Sequence, residues 1–257
     1  MKQHPSDQRR RLILDRARGD GRVQVTELAT VLDVAAETVR RDLKVLEDHG
    51  LLRRTHGGAL PIDKAGFEAQ ISQRSAQSVA EKQRIAWSAI KSLEGCESLF
   101  LDEGSTAMAV ADALLSVDRP LTIVTHAISV AALLTTRPRT DVLMLGGTVR
   151  SASMATAGSA TTTMLCELTV DIAILSASGI SLERGVSTSN PESAGLKRAA
   201  MHAGRKRLFI GPHTKFGISS FCRYGDVHDF HAVITDSGLP NTVAATYKAA
   251  GIRLIRA

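Results

Sequence analysis

The chain has 257 residues, with 32 Lys and Arg against 26 Asp and Glu for a net charge of +6. That length exceeds one small domain by a wide margin, so a second and larger core is expected. Cys96, Cys166 and Cys222 form no CxxC pair, and no apolar run approaches the roughly 20 residues of a membrane span; a disulfide framework and a membrane protein are therefore excluded, and the expected setting is the cytoplasm.

Ser6 is placed to cap a first helix whose apolar positions include Leu12, Ile13 and Ala17, ended by Gly19-Asp20-Gly21. Val23 to Val25 fits a short strand, and Thr26 is placed to cap a second helix that turns Leu28, Ala29 and Leu32 inward. After the brief turn Asp33-Val34-Ala35, Val39, Leu43 and Leu46 recur at helical spacing and form an apolar stripe. Glu37, Arg41 and Lys44 then lie opposite that stripe, with Thr38 and Arg40 on its flanks. Gly50 is placed to end the helix, and Leu51 to Arg54 reads as a strand with a basic end. Thr55-His56-Gly57-Gly58 is a tight turn that lets Ala59-Leu60 return.

Two helices at a short turn followed by a basic hairpin predict a winged helix-turn-helix over residues 1–60. A charged helix face alone would read as a solvated surface. Joined to that spacing and to the Gly-Gly wing, it points to a double-stranded DNA partner met by Thr38, Arg40, Arg41, Lys44, Arg53, Arg54 and His56. The charge agrees, because residues 1–60 carry 12 basic against 9 acidic side chains, half of the whole excess in less than a quarter of the chain.

Residues 61–80, opening on Pro61 and containing Gly66, read as a linker. From Glu81 helices and strands alternate. Helices are expected at Glu81–Leu93, Thr106–Leu115 and Ala127–Leu134 and near 158–167, 192–203 and 241–249. Strands are expected at Leu99–Leu101, Leu121–Thr125, Asp141–Leu145, Asp171–Leu175, Arg207–Ile210, Ala232–Thr235 and Ile252–Ile255. The fold class is thus α/β: a winged helix-turn-helix, then a larger α/β domain over 81–257 with a mainly parallel sheet.

In such sheets ligands sit beyond the carboxyl ends of the strands. There, Asp102-Glu103-Gly104-Ser105-Thr106 joins a strand to a helix and offers backbone N–H groups and two hydroxyls to an anion at a helix N-terminus. An ordinary strand-to-helix turn capped by Ser105 fits the same residues. His228 and His231 have a spacing that could hold a metal, but no third ligand is near in sequence, so no metal and no cofactor is assigned. Trp87, in the helical stretch with Ile85, Ala86, Ala89 and Ile90, is expected to pack.

The reader segment resembles that of the DeoR family of bacterial transcriptional regulators, T-[IV]-R-R-D-L, then L-E, then G-L-[LI]-x-R-x-H-G-G-A. Thr38 to Leu43, Leu46-Glu47, Gly50 to Leu52, Arg54 and His56 to Ala59 carry that match, and Ala35 stands where members often have a capping Ser, a change worth about 1 kcal/mol. The likeness continues through Phe67, Arg74, Glu81-Lys82, Ile85-Ala86, Asp102 to Thr106, Ile123 to His126, Leu145 to Gly147, Ser178 to Ile180, Lys197-Arg198, Thr214 to Gly217 and Thr235-Asp236.

The resemblance implies an effector domain with the fold of phosphosugar isomerases and coenzyme A transferases. It further implies a phosphorylated sugar or polyol effector, held by Asp102, Gly104, Ser105, Thr106, Thr125, His126, Ser178, Gly179 and Lys215. The expected function is a repressor of a carbohydrate or polyol operon that this effector releases, working as a homodimer or homotetramer on a repeated site. The alternative is an isomerase-like enzyme with an attached DNA-binding domain. Against it, Ser178 and Pro212 stand where many relatives have Asp, and moving a proton beside a carbonyl needs a carboxylate base; no catalytic residue is assigned.

Overall fold

The computed structural model describes residues 6–20, 22–48, 52–55, 57–61, 78–151 and 153–257. Its contacts divide the chain into Met1–Glu68 and Ala69–Ala257.

The first unit runs α1 (Ser6–Asp20), β1 (Val23–Gln24), α2 (Val25–Leu32), α3 (Ala36–Asp48), β2 (Leu52–Thr55) and β3 (Gly58–Pro61). Each helix turns its apolar stripe into one core, where Ile13, Ala17, Leu28, Leu32, Val39, Leu43 and Leu46 meet Leu52 and Ala59 of the wing. β3 pairs antiparallel with both β1 and β2. The two wing glycines have distinct reasons. Gly57 takes a positive φ of 81° at the turn, and a Cβ on Gly58 would stand 2.1 Å from the Val23 carbonyl oxygen, where β1 crosses.

α2 begins one residue before the expected Thr26 cap. Gln24 is the extended residue ahead of it, and the Val25 N–H is bound by the Gly57 carbonyl at 2.9 Å, so the wing turn supplies what a side-chain cap would have supplied. Asp33 then takes the left-handed conformation, at φ 52°, that swings the chain into α3. The expected stops at Gly21 and Gly50 lie outside the described residues, as do Phe67 and Arg74.

The second unit runs α4 (Val79–Lys91), β4 (Ser98–Leu101), α5 (Ser105–Leu114), β5 (Leu121–Thr125), α6 (Ile128–Leu134), β6 (Thr140–Met144), β7 (Thr148–Arg150), β8 (Ala155–Ala157), α7 (Ser159–Cys166), β9 (Val170–Leu175), β10 (Gly179–Ser181), β11 (Gly185–Thr188), α8 (Pro191–Ala203), β12 (Gly204–Ile210), β13 (Cys222–Gly225), β14 (Ala232–Thr235), α9 (Asn241–Ala249) and β15 (Leu254–Arg256). The expected elements are all present, with bounds moved by at most three residues. Two small antiparallel sheets, β7–β8 and β10–β11–β13, were not anticipated.

Seven strands form one sheet in the order β15-β14-β12-β9-β4-β5-β6, parallel throughout. Alternation along each strand splits its side chains between two apolar layers. Leu99, Leu101, Ile123, Ile172, Ile174, Leu208 and Ile210 pack with α4, α5 and α6. Phe100, Val124, Ala173, Leu175, Phe209 and Val233 pack with α8 and α9. Each fully buried large side chain contributes about 1.5–3 kcal/mol relative to exposure.

One expectation fails here. Trp87 is 48% exposed, because helical geometry sets it about 200° from both Ile85 and Ala89, the residues that α4 buries.

Candidate functional site

The exposed face of α3 carries Arg40, Arg41 and Lys44, with Thr38 half-buried at its N-terminal end. Arg40 Nη1 lies 3.0 Å from Glu37 Oε2, an exposed pair of little energetic weight that a phosphate can displace. Between Arg41 and Leu43 the chain turns Asp42 inward, where Arg9 Nε donates to Oδ2 at 2.6 Å and Arg10 Nε to Oδ1 at 3.0 Å. Asp42 is 2% exposed, so this carboxylate clamps the reader helix to α1 rather than facing a groove. The wing is tied in as well, since the Arg54 N–H donates to Glu47 Oε1 at 2.9 Å. Arg54 is exposed, Arg53 lies on β2, and His56 falls outside the described residues.

In the large sheet the chain winds outward from β4 in two directions, through β5 and β6 on one side and through β9, β12, β14 and β15 on the other. The loops leaving β4 and β9 lie side by side at the carboxyl ends of the strands, the switch point at which such sheets place ligands. Asp102 to Gly104 leave β4 there, and Ser176 to Ser178 leave β9.

Asp102 is the centre of that junction. It is fully buried; Oδ2 accepts from the Ser176 N–H at 2.8 Å and its hydroxyl at 2.9 Å, and it also accepts from Lys197 Nζ of α8. Oδ1 faces His126 Nε2 at 3.3 Å. Burial opposes a charge on Asp102, but the Lys197 ammonium and the His126 contact outweigh it and hold the carboxyl far below its usual range. The other His126 ring nitrogen, Nδ1, meets the Thr156 carbonyl at 3.0 Å. Both ring nitrogens thus face acceptors, an arrangement that favours a proton on each. Its pKa moves the same way: burial opposes the charge, while the Asp102 hydrogen bond and the charges of Glu103 and Asp102 prevail and raise it. Phe100 stacks on the ring at 6.0 Å, and Lys197 Nζ lies 5.8 Å from the Tyr224 ring.

The sequence-assigned effector residues divide into two groups. Asp102, Thr125 and His126 are turned into the protein, Thr125 Oγ1 donating to the Leu101 carbonyl at 2.7 Å and accepting from the Ala127 N–H at 3.1 Å. Gly179 is also buried, with its Cα against the Ile218 carbonyl, and so is Thr106. Gly104, Ser105, Ser178 and Lys215 are partly exposed at the strand ends, where a ligand can reach them. Gly104 has a φ of 98°, and a Cβ there would touch nothing, so the space beside it is open.

Ser176, Lys197 and Asp236 were missed as site residues. Lys197 is placed in helix α8 by sequence alone, but nothing in its spacing signals an ion pair with a residue 95 positions away. Asp236 is fully buried and accepts from the His213 N–H at 2.8 Å, from His213 Nδ1 at 2.7 Å and from the Gly238 N–H at 2.9 Å. His213 is thereby tied to the rim two residues before Lys215. Of the two spaced histidines, His228 engages Asp226 and the Ala250 carbonyl, and His231 accepts from the Arg207 N–H.

Residues 77–237 match the DeoR C terminal sensor domain and residues 9–65 the DeoR-like helix-turn-helix domain. The chain belongs to the DeoR family of transcriptional regulators. It is 31% identical over 236 residues to the glycerol-3-phosphate regulon repressor of Escherichia coli K12, covering 92% of this chain and 93% of that one. It is 30% identical over 252 residues to the putative aga operon transcriptional repressor of Escherichia coli O157:H7, covering 97% and 93%. The HTH-type transcriptional regulator GlpR of Haloferax volcanii is 29% identical over 251 residues, covering 98% and 97%. A ribose 5 phosphate isomerase A from Neisseria gonorrhoeae superposes on 52% of this chain and 52% of its own with a TM-score of 0.39 at 15% identity, a likeness too distant to inform this DeoR chain.

Proposed function

We propose that this DeoR-family regulator is a cytoplasmic repressor that holds operator DNA through Thr38, Arg40, Arg41, Lys44, Arg53, Arg54 and His56, and lets go when the larger unit binds a phosphorylated sugar or polyol. The observation that carries the effector half is the placement of Gly104-Ser105-Thr106 at the junction of β4 and β9, where an open backbone meets the start of α5. Free N–H groups there and the Lys215 ammonium suit a phosphate dianion. Asp102, Thr125 and His126 hold the loop's shape from beneath rather than touching ligand. The names of the two Escherichia coli relatives support the repressor role.

A single winged domain reads few bases, so a homodimer or larger assembly on a repeated site is part of the proposal. Release is a linkage effect: a tenfold loss of operator affinity requires the effector to prefer the non-binding conformation by about 1.4 kcal/mol. Isomerase turnover is not proposed, because Asp102 is already committed to Lys197, His126 and Ser176 and cannot accept a substrate proton without breaking that network. A thermal-shift screen of the full chain against sugar and polyol phosphates tests the effector class, since ligand bound to the native state raises the melting temperature. Stabilisation by a phosphorylated compound and none by its unphosphorylated parent is the expected result; the reverse would remove the phosphate from the proposal.

A further inference from the structure

The loop that leaves β4 contains a carboxylate with a job left over. Glu103 lies between buried Asp102 and open Gly104, and its Oε2 is buried with no hydrogen-bond donor from the described residues. Its backbone carbonyl lies 3.3 Å from the Ser176 hydroxyl, whose proton goes to Asp102, and its side chain is partly buried at the end of β4. A buried acceptor left unpaired costs stability that a fold has no reason to retain unless something else supplies the donor.

Chemistry narrows the donor. Lys197 faces Asp102 and His126 lies near Glu103, so the protein's own cations are already engaged. A ligand hydroxyl donates to Oε2 without bringing a further charge, and a sugar or polyol phosphate carries such hydroxyls beside its phosphate. The open space beside Gly104 sits next in sequence, at the place already proposed for the phosphate.

We propose that Glu103 is the specificity residue of the effector site, accepting a hydrogen bond from a carbon-bound hydroxyl of the phosphorylated sugar or polyol whose phosphate rests on Gly104 to Thr106. The inference rests on the proposed phosphate site at Gly104 to Thr106. Backbone amides recognise any phosphate; Glu103 distinguishes a hydroxylated ligand from bare phosphate, because a ligand without a donor leaves the carboxylate unpaired.

Calorimetric titration of the full chain with glycerol 3-phosphate, ribose 5-phosphate, fructose 6-phosphate and inorganic phosphate tests it, using the native protein, Glu103→Gln and Glu103→Ala. Whichever organic phosphate binds the native protein should bind Glu103→Gln at least about tenfold more weakly, and inorganic phosphate should bind both within about twofold. Unliganded Glu103→Ala, which loses the unpartnered Oε2 acceptor together with a charge near His126, should melt close to the native protein. An unchanged ratio of organic to inorganic phosphate affinity in Glu103→Gln would overturn the assignment, as would a marked loss of stability in Glu103→Ala, which would make Glu103 structural. Stabilisation of the native protein by calcium or magnesium that Glu103→Gln abolishes would replace the hydroxyl with a cation. If no phosphate compound binds the native protein, the phosphate site itself falls and takes this inference with it, an outcome distinct from an indifferent Glu103.

Discussion

Lys197 and Asp102, 95 positions apart, meet as a fully enclosed ion pair at the point where the central sheet changes winding direction. That pair joins α8 to the loop that starts α5. Enclosed ion pairs contribute little net stability when whole, but leaving one partner alone is costly. Lys197→Met should therefore destabilise the larger unit by about 3–5 kcal/mol, and adding Asp102→Asn should recover much of the loss. Denaturant melts of the two variants check this; equal stability of Lys197→Met and the native protein would show that the pair is not buried as described.

Titration of His126 gives a pH dependence whose sign is fixed. Its folded-state pKa is raised above the ordinary value of 6.5, so its contribution is fully present below that value and is lost as pH rises through the raised one. The melting temperature should fall on the alkaline side of pH 6.5 in the native protein and show a shallower fall in His126→Gln. Asp102 acts in the opposite sense. Its depressed pKa contributes stability above about its ordinary value of 3.8 that disappears only in strong acid. Identical melting profiles for native protein and His126→Gln above neutrality would refute a proton on both ring nitrogens.

Asp42 should matter for DNA without touching it. Asp42→Asn weakens the two charged hydrogen bonds that hold α3 on α1, at about 1.5–3 kcal/mol for a bond to a charged group. The expected result is a lower melting temperature and weaker operator binding that low temperature partly restores. Weaker binding with an unchanged melt would mean that Asp42 acts at the DNA itself.

Arg40→Ala and Arg41→Ala should each remove about 1–3 kcal/mol of operator affinity while leaving the fold intact, because both side chains are exposed. Gel shifts at fixed salt, with circular dichroism as the fold control, measure both. Native affinity in the two variants would sink the reader assignment for this face.

The reader helix was legible because its evidence is local. Val39, Leu43 and Leu46 announce a helix by spacing, and Gly57-Gly58 announce a turn by residue type. The seven-stranded sheet was legible for the same reason, through apolar runs such as Leu121 to Thr125. The hairpins were not, since Gly179-Ile180-Ser181 and Gly185 to Thr188 carry neither alternation nor length, and their pairing is decided by neighbours such as β13. The site was legible only in part. Asp102 and His126 stood out as residue types, but the proton count on His126 depends on the Thr156 carbonyl, which tertiary folding brings from 30 positions away.

A phosphorylated sugar or polyol bound at Gly104 to Thr106 is expected to release operator DNA. Fluorescence anisotropy of a labelled operator duplex, selected in vitro with the native protein and titrated with the effector found by thermal shift, measures that release directly. Ser105→Asp puts a carboxylate where the phosphate dianion would sit, so repulsion should abolish release while operator affinity stays native. Release of DNA from Ser105→Asp at native effector concentrations, or equal release by the unphosphorylated sugar, would contradict the claim and return the loop to an ordinary turn between β4 and α5.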